Sequence, residues 1–217
     1  MQSPSKLKTG TAPLFLDASV VINLVASNYT EGILLALDRP VLVTENVCAE
    51  FKRHPRDGGS ARQVIENLTN RRRVQITTMS DSQFDIFLRL TGYPPPDDLG
   101  DGEAATLACA DGIGSAVIDD RKALRIATRD FPDQTLYSSL DLFCAEQVLS
   151  GLGRSVIAQA VYDSIKIARM RVPSDWRGWV SNLLGKARVA ELPTMAASAD
   201  LSTKSVGKPD RNRGTKL

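Results

Sequence analysis

Histidine is almost absent from this chain of 217 residues. The one present, His54, stands between Arg53 and Pro55 in HPRDGGS, a stretch with the composition of a loop. A Ser-His-Asp or Cys-His arrangement would have to rest on that residue alone, so nucleophilic triads are a poor first explanation. Cysteine is nearly as scarce: Cys48, Cys109 and Cys144 lie far apart in apolar, helix-like stretches, with no CxxC pattern and no even set. They are expected to be buried thiols of a reducing compartment. No run of about 18 apolar residues is present, which excludes a membrane-spanning helix of ordinary length. The opening MQSPSKLKTGTAP has two lysines, but the apolar stretch behind it is interrupted by Asp17. A secretory signal is therefore not expected, and a cytoplasmic location without a membrane partner is. Aromatic residues make up only 6% and form no RNP-like stacking motif, so base-specific stacking is not visible. Phosphate-cradling glycine loops are missing too. GLGRS (151–155) follows a helical pattern and DGIGS (111–115) precedes a strand, the reverse of what a dinucleotide fingerprint or a P-loop requires.

What remains is a balanced globular composition, 42% hydrophobic and 24% charged, long enough for one α/β domain and an appendage but not for two full domains. The charge is uneven along the chain. From Lys186 onward seven Lys/Arg face three acids, so a basic end follows a slightly acidic body. Short apolar runs without alternation, LFLD at 14–17, VLVT at 41–44 and SAVID at 115–119, suit strands buried on both faces. VQITTM near 74–79 and TLY near 135–137 predict further strands, the first at an edge. Between them lie helical patterns: ENVCAEFKR, SARQVIENLTNR with Ser60 as N-cap, DSQFDIFLRLTG ended by Gly92 and PPP, GEAATLACA, DRKALRIATRD and SLDLFCAEQVLSGL. Alternating strands and helices imply a parallel sheet covered on both sides. Two further helical patterns, RSVIAQAVYDSIKIARMR and SDWRGWVSNLLG, predict a helical appendage, and the small polar residues beyond predict a disordered tail. The expected organisation is an α/β domain over 12–150, an appendage over 151–190 and a basic tail over 191–217.

The chemistry sits in carboxylates. Ligands of a parallel sheet bind at the carboxyl ends of its strands, and acids accumulate there. Asp17 closes the first strand, and Asp119 and Asp120 close the strand SAVI; Glu50 lies on the helix after VLVT, and Glu103 lies in the first turn of an alanine-rich helix. Each acid alone has a bland alternative: Asp101, Asp119 or Asp120 as helix N-caps, Glu45 as complement to a helix N-terminus. Four or five acids at one sheet end would repel unless a cation sat among them. Mg²⁺ suits such hard oxygen ligands, and the chemistry it implies is hydrolysis of a phosphodiester. A dehalogenase-type phosphatase or receiver-like site would need a second acid two residues after Asp17, where Ser19 stands.

In order, LFLDASVVINL, Glu50 in CAEFKR, LGDGEAATLACA and AVIDDRKALRIA resemble the successive motifs of the PIN-domain nucleases, in particular a branch with a GEA motif and a DD-R strand end. The resemblance covers about residues 14–150. It implies a three-layer α/β/α sandwich with a central, mainly parallel sheet and C-terminal helices, binding Mg²⁺ or Mn²⁺ and cleaving RNA. Carried over by position, Asp17, Glu50, Glu103 and Asp120 are the expected catalytic residues, and Asp17, Glu103, Asp119 and Asp120 the expected metal ligands. Many small members are VapC-type toxins, so a cognate antitoxin and a second copy of the chain join RNA as candidate partners. The competing expectation is a catalytically inactive PIN-like module that binds RNA or protein. Completeness of the acidic set favours activity.

Substrate contacts are expected from Arg53, Arg121 and Arg125, the last two sharing a helical face beyond Asp120, because phosphate contacts supply affinity without reading sequence. Arg71 to Arg73 are weaker candidates, since a charge run is often only a solvated face. Trp176 and Trp179, three residues apart, are expected to pack the appendage or a protein partner.

Overall fold

The computed structural model describes residues 3–196. Five strands form one sheet: β1 (Leu14–Leu16), β2 (Val41–Thr44), β3 (Gln75–Thr77), β4 (Ser115–Val117) and β5 (Leu136–Tyr137). Every pairing is parallel and the order is β3-β2-β1-β4-β5, so all strands end on one edge and β3 is an edge strand as expected. Helices α1 (Ala18–Ser27) and α2 (Thr30–Leu37) connect β1 to β2; α3 (Glu45–Glu50) and α4 (Ala61–Asn70) connect β2 to β3. Then α5 (Asp81–Thr91) and α6 (Asp101–Ala110) lead into β4, and α7 (Arg121–Asp130) into β5. After β5 come α8 (Ser139–Phe143), α9 (Glu146–Leu152), α10 (Arg154–Ala168), a 3₁₀ turn Ser174–Trp176, α11 (Arg177–Leu184), α12 (Lys186–Ala190) and α13 (Pro193–Ala196).

The strand period of two explains the layers. Leu14 and Leu16 face one core with Val41 and Val43, while Phe15 faces another with Ala116 and Ile118. The Phe15 side is covered by α5, α6 and α7, the Leu14 side by α1, α2 and the C-terminal helices. The result is the three-layer α/β/α sandwich. No single helix among the described residues is long and apolar enough to cross a membrane.

Four details depart from expectation. The stretch 139–152 is two helices, because the chain breaks at Cys144–Ala145 between α8 and α9. Helix α10 stops at Ala168 instead of running through Arg171, because Arg169 takes a left-handed conformation (φ 58°). Residues 154–184 contribute Ile157, Val161, Ile165, Trp176, Trp179 and Leu183 to the same core as β1, so these helices complete one face of the sandwich instead of hanging from it. Residues 191–196, expected to belong to a disordered tail, hold Leu192 and Met195 in that core and form α13. The remainder of the expected tail lies outside the described residues. The chain before residue 12 is engaged as well: the Lys6 N–H donates to Asp141 Oδ1 at 2.9 Å, and Leu7 is buried.

Candidate active site

The acids are positioned by the helices that follow or precede the central strands. Asp17 leaves β1 with its N–H donating to the Val117 carbonyl at 3.1 Å, which sets the end of β1 beside the end of β4. It then caps α1: its Oδ2 accepts from the Ser19 N–H at 3.2 Å and the Ser19 hydroxyl at 2.6 Å. Asp120 caps α7, Oδ1 accepting from the Ala123 N–H at 2.9 Å. Glu103 folds back over the start of α6, its Oε2 accepting from the Gly100 N–H at 3.1 Å. Glu50 crosses from the end of α3, and its Oε1 accepts from the Gly102 N–H at 2.8 Å. Because α6 runs back against the strands, its first turn falls at the carboxyl edge of the sheet, where the other acids stand.

These four carboxylates share one feature. Each commits one oxygen to a helix N-terminal N–H, a favourable place for negative charge, and keeps the other. Asp17 Oδ1 is buried with no hydrogen-bond partner, on a residue 3% exposed. The second oxygens of Glu50, Glu103 and Asp120 accept no hydrogen bond among the described residues. Burial pushes the Asp17 carboxyl above its ordinary range, Ser19 opposes this, and the charge of Asp120 adds to it. Glu103 is pushed up to about 7, chiefly by burial, with Asp120 and Asp17 contributing and the Gly100 N–H opposing. Glu103 and Asp120 line one cleft, and Asp17 lies close enough for its charge to act on Glu103. Glu50 joins them at Gly100, where an added Cβ would lie 3.5 Å from Glu103 Oε2 and 3.9 Å from Glu50 Oε1.

Asp119 differs. Its Oδ1 accepts from the Ser139 N–H at 2.8 Å, and its Oδ2 from the Asn23 amide at 2.7 Å and the Ser139 hydroxyl at 2.5 Å. With both oxygens taken, Asp119 ties α1 and α8 to the end of β4, which is a different duty from the expected metal ligand. Burial raises its carboxyl too, against the pull of those donors.

A cleft of about 330 Å³ opens here, lined by Ser19, Asn23, Glu103, Asp119 and Asp120 and, across from them in sequence, by Ala168–Arg171. Among the described residues no three His, Cys, Asp or Glu side chains are arranged to hold an ion as they stand. The fit of a divalent cation rests instead on the donor chemistry. An orphaned buried oxygen on Asp17, a free oxygen on each of Glu103 and Asp120, and upward-shifted carboxyls that a cation would return to the charged form all suit Mg²⁺ or Mn²⁺.

The expected cations fare less evenly. None of Arg53, Arg121 or Arg125 lines the cleft. Arg53 is exposed in the loop after α3, and Arg121 is exposed at the first turn of α7. Arg125 is turned away to Asp97, 2.7 Å distant, which it shares with Arg129, so it fastens α7 to the loop before α6. Arg71 pairs with Glu31 at 2.6 Å. Trp176 and Trp179 stack edge to face in the core, 5.9 Å between centroids.

Four participants escape the sequence patterns. Gly102 has no side chain because one would meet Glu50: a Cβ there would lie 2.5 Å from Oε2. The glycine before the acid in DGEA was the available signal. Asn23 carried no signal, being one polar residue in an apolar helix. Arg169 and Arg171 were hidden by the expectation that α10 continued through them.

A family model described as a PIN domain matches residues 14–130 of the chain. No curated protein matches it, and neither does any solved structure.

Proposed function

The chain belongs to the PIN-domain family, and from that premise we propose that it is a metal-dependent endoribonuclease hydrolysing RNA phosphodiester bonds. PIN domains are nuclease folds, and this reading refines that class to a metal and a substrate. One observation carries it: four carboxylates at the carboxyl edge of the sheet, each with one oxygen bound to a helix N-terminus and the other open. A retired site would have no reason to retain Asp17 Oδ1 buried and unpartnered, which costs about 1–3 kcal/mol or more for a charged group.

Asp17, Glu103 and Asp120 would hold Mg²⁺ or Mn²⁺. When bound, the ion supplies charge stabilisation at the phosphoryl oxygens and makes an attacking water more acidic. The chain does the rest. Ser19 and the N-termini of α1, α6 and α7 each hold one oxygen of a carboxylate, which leaves the other oxygen to turn toward the ion. Glu50, held through Oε1 by the Gly102 N–H, presents its other oxygen outside that set and accepts the proton of the attacking water. Arg53 and Arg121, both exposed, would contact flanking phosphates outside the cleft.

The order of motifs, LDAS through GEA to DD-R, supports a finer role as the VapC-type toxin of a toxin–antitoxin pair, with an antitoxin covering the acidic edge. Incubation of purified protein with single-stranded RNA in Mg²⁺, Mn²⁺ or EDTA tests the nuclease. Cleavage in either metal that EDTA stops is the expected result; binding without cleavage would instead make the chain an inactive RNA-binding module. Induced expression of the chain alone tests the toxin role, with growth arrest expected from the wild type and not from Asp17→Asn.

A further inference from the structure

The cleft is not built from the family-matched segment alone. Residues 168–171, beyond residue 130 where the match ends, form one of its walls. Along this turn exposure alternates: Arg169 and Arg171 are exposed, whereas Met170 and Val172 are buried in the core at 2% and 7%. Met170 and Val172 therefore anchor the turn in the core, while Arg169 and Arg171, which alternate with them, stay exposed at the wall of the cleft. The anchoring is tied to the acids themselves. The Met170 N–H donates to the Ser164 carbonyl at 3.1 Å, the Ser164 hydroxyl donates to the Asn23 carbonyl at 2.8 Å, and the Asn23 amide donates to Asp119.

Arg169 stands in the left-handed region at φ 58°, ψ 34°, a helix-ending position that favours glycine and costs a side-chain-bearing residue about 1 kcal/mol. Nothing in the fold repays an arginine there, because neither Arg169 nor Arg171 makes an ion pair or side-chain hydrogen bond with a described residue. The two guanidinium groups share a cleft with Glu103 and Asp120 without closing onto them. Acids able to hold a cation and free arginines in one cleft match the two needs of a bound phosphodiester: a divalent ion on one oxygen and guanidinium donors on another.

The geometry points to Arg169 and Arg171 as the phosphate clamp of this site, gripping the backbone of the RNA strand whose bond is cleaved. This rests on the nuclease reading and adds to it a pair of substrate-binding residues supplied by the C-terminal helices.

The test uses the full chain carrying Arg169→Gly together with Arg171→Gln. Binding of an end-labelled single-stranded RNA is measured in EDTA over a range of salt, alongside cleavage in Mn²⁺ and the Mn²⁺-induced shift in melting temperature. Two lost phosphate contacts should weaken binding about tenfold or more at low salt and make the salt slope shallower by about 1.4. The Mn²⁺ shift should stay as in the wild type. Arg169→Gly relieves the left-handed strain, so the variant should melt no lower than wild type, which separates lost binding from lost folding. Wild-type binding and slope in the variant, with wild-type cleavage intact, would overturn the clamp and leave the nuclease reading standing. Faster cleavage by the variant would overturn it in favour of an inhibitory contact. If the wild type itself neither binds nor cleaves RNA, the nuclease reading fails and the clamp falls with it.

Discussion

Gly102 and Glu50 are in contact although 52 residues separate them: the Glu50 carboxylate lies on the first turn of α6, where a Cβ on residue 102 would overlap both of its oxygens and its carbon, at 2.5–3.0 Å. The neighbour that must yield to a substitution is the far end of a side chain, not the backbone. Gly102→Ala should therefore leave the fold intact, or stabilise it by up to about 1 kcal/mol through helix propensity, while pushing Glu50 aside. A displacement of about 1 Å at a reacting group can cost about 10²-fold in rate. Cleavage rate and melting temperature measured together check this; a drop in both would mean that the backbone of α6 had moved.

Asp17→Asn keeps the cap on α1, since asparagine caps as well as aspartate, and removes a buried negative charge beside Asp120. The variant should lose metal-dependent cleavage, melt at or above the wild-type temperature in EDTA, and lose the Mn²⁺-induced rise in melting temperature. Unfolding of the variant would assign Asp17 to structure alone.

The Glu103 carboxyl, pushed up to about 7 in the folded chain from an ordinary 4.5, fixes the sign of a pH dependence. Between those values the folded state binds more protons at Glu103 than the unfolded one, so the contribution of Glu103 to stability in EDTA is fully present below about pH 4.5 and is lost as pH rises through about 7. Asp17 and Asp119, shifted in the same direction, steepen the effect. Glu103 is partly open to solvent, which screens its contribution; a fall of a few degrees in melting temperature is expected. Glu103→Gln should flatten the profile, and saturating Mn²⁺ should flatten it in the wild type by favouring the charged carboxylates. A melting temperature that climbs between pH 5 and 7 in EDTA would contradict the burial of these acids.

Much of the fold was legible because it rests on local patterns. Leu14, Leu16 and Phe15 are apolar without alternation since both faces of β1 are covered, and Ser60 and Gly92 mark the helix ends that the sequence predicts. Asp17, Glu103 and Asp120 were legible because strand ends and helix starts of a parallel sheet share one edge, whereas Glu50, the last residue of α3, was singled out by the resemblance to PIN-domain motifs. The division of labour between Asp119 and Asp120 was not. Adjacent and chemically identical, they differ only in what lies opposite each: Ser139 and Asn23, far away in sequence, reach Asp119. Arg125 was misleading for a similar reason, because its partner Asp97 lies in a loop whose path no periodicity defines.

That contrast gives a prediction for Asp119. Its three donors all require an acceptor, so Asp119→Asn must set an amide N–H against at least one of them. A destabilisation of about 1–3 kcal/mol is expected, with Mn²⁺ affinity reduced far less than by Asp17→Asn. Calorimetric titration of both variants decides between anchor and ligand: equal losses of affinity would restore Asp119 to the metal set.

Two truncated chains, ending at residues 196 and 190, isolate the contribution of residues 191–196. The longer one retains Leu192 and Met195 in the core, at 1% and 7% exposure, and keeps Glu191, which accepts hydrogen bonds from Tyr162 and from Lys166 at 3.4 Å. The shorter one loses all of these and uncovers the apolar surface they shield. Burying one such side chain contributes about 1.5–3 kcal/mol, so the shorter protein should melt several degrees lower and aggregate more readily. Both chains lack the same residues beyond 196, so whatever those contribute cancels in the comparison. Because Tyr162 and Ser164 lie on α10, loosening at Glu191 should also reach Asn23 and the Arg169–Arg171 turn, and the shorter chain should bind RNA more weakly. Equal melting temperatures would mean that the contacts of Leu192 and Met195 contribute nothing to stability.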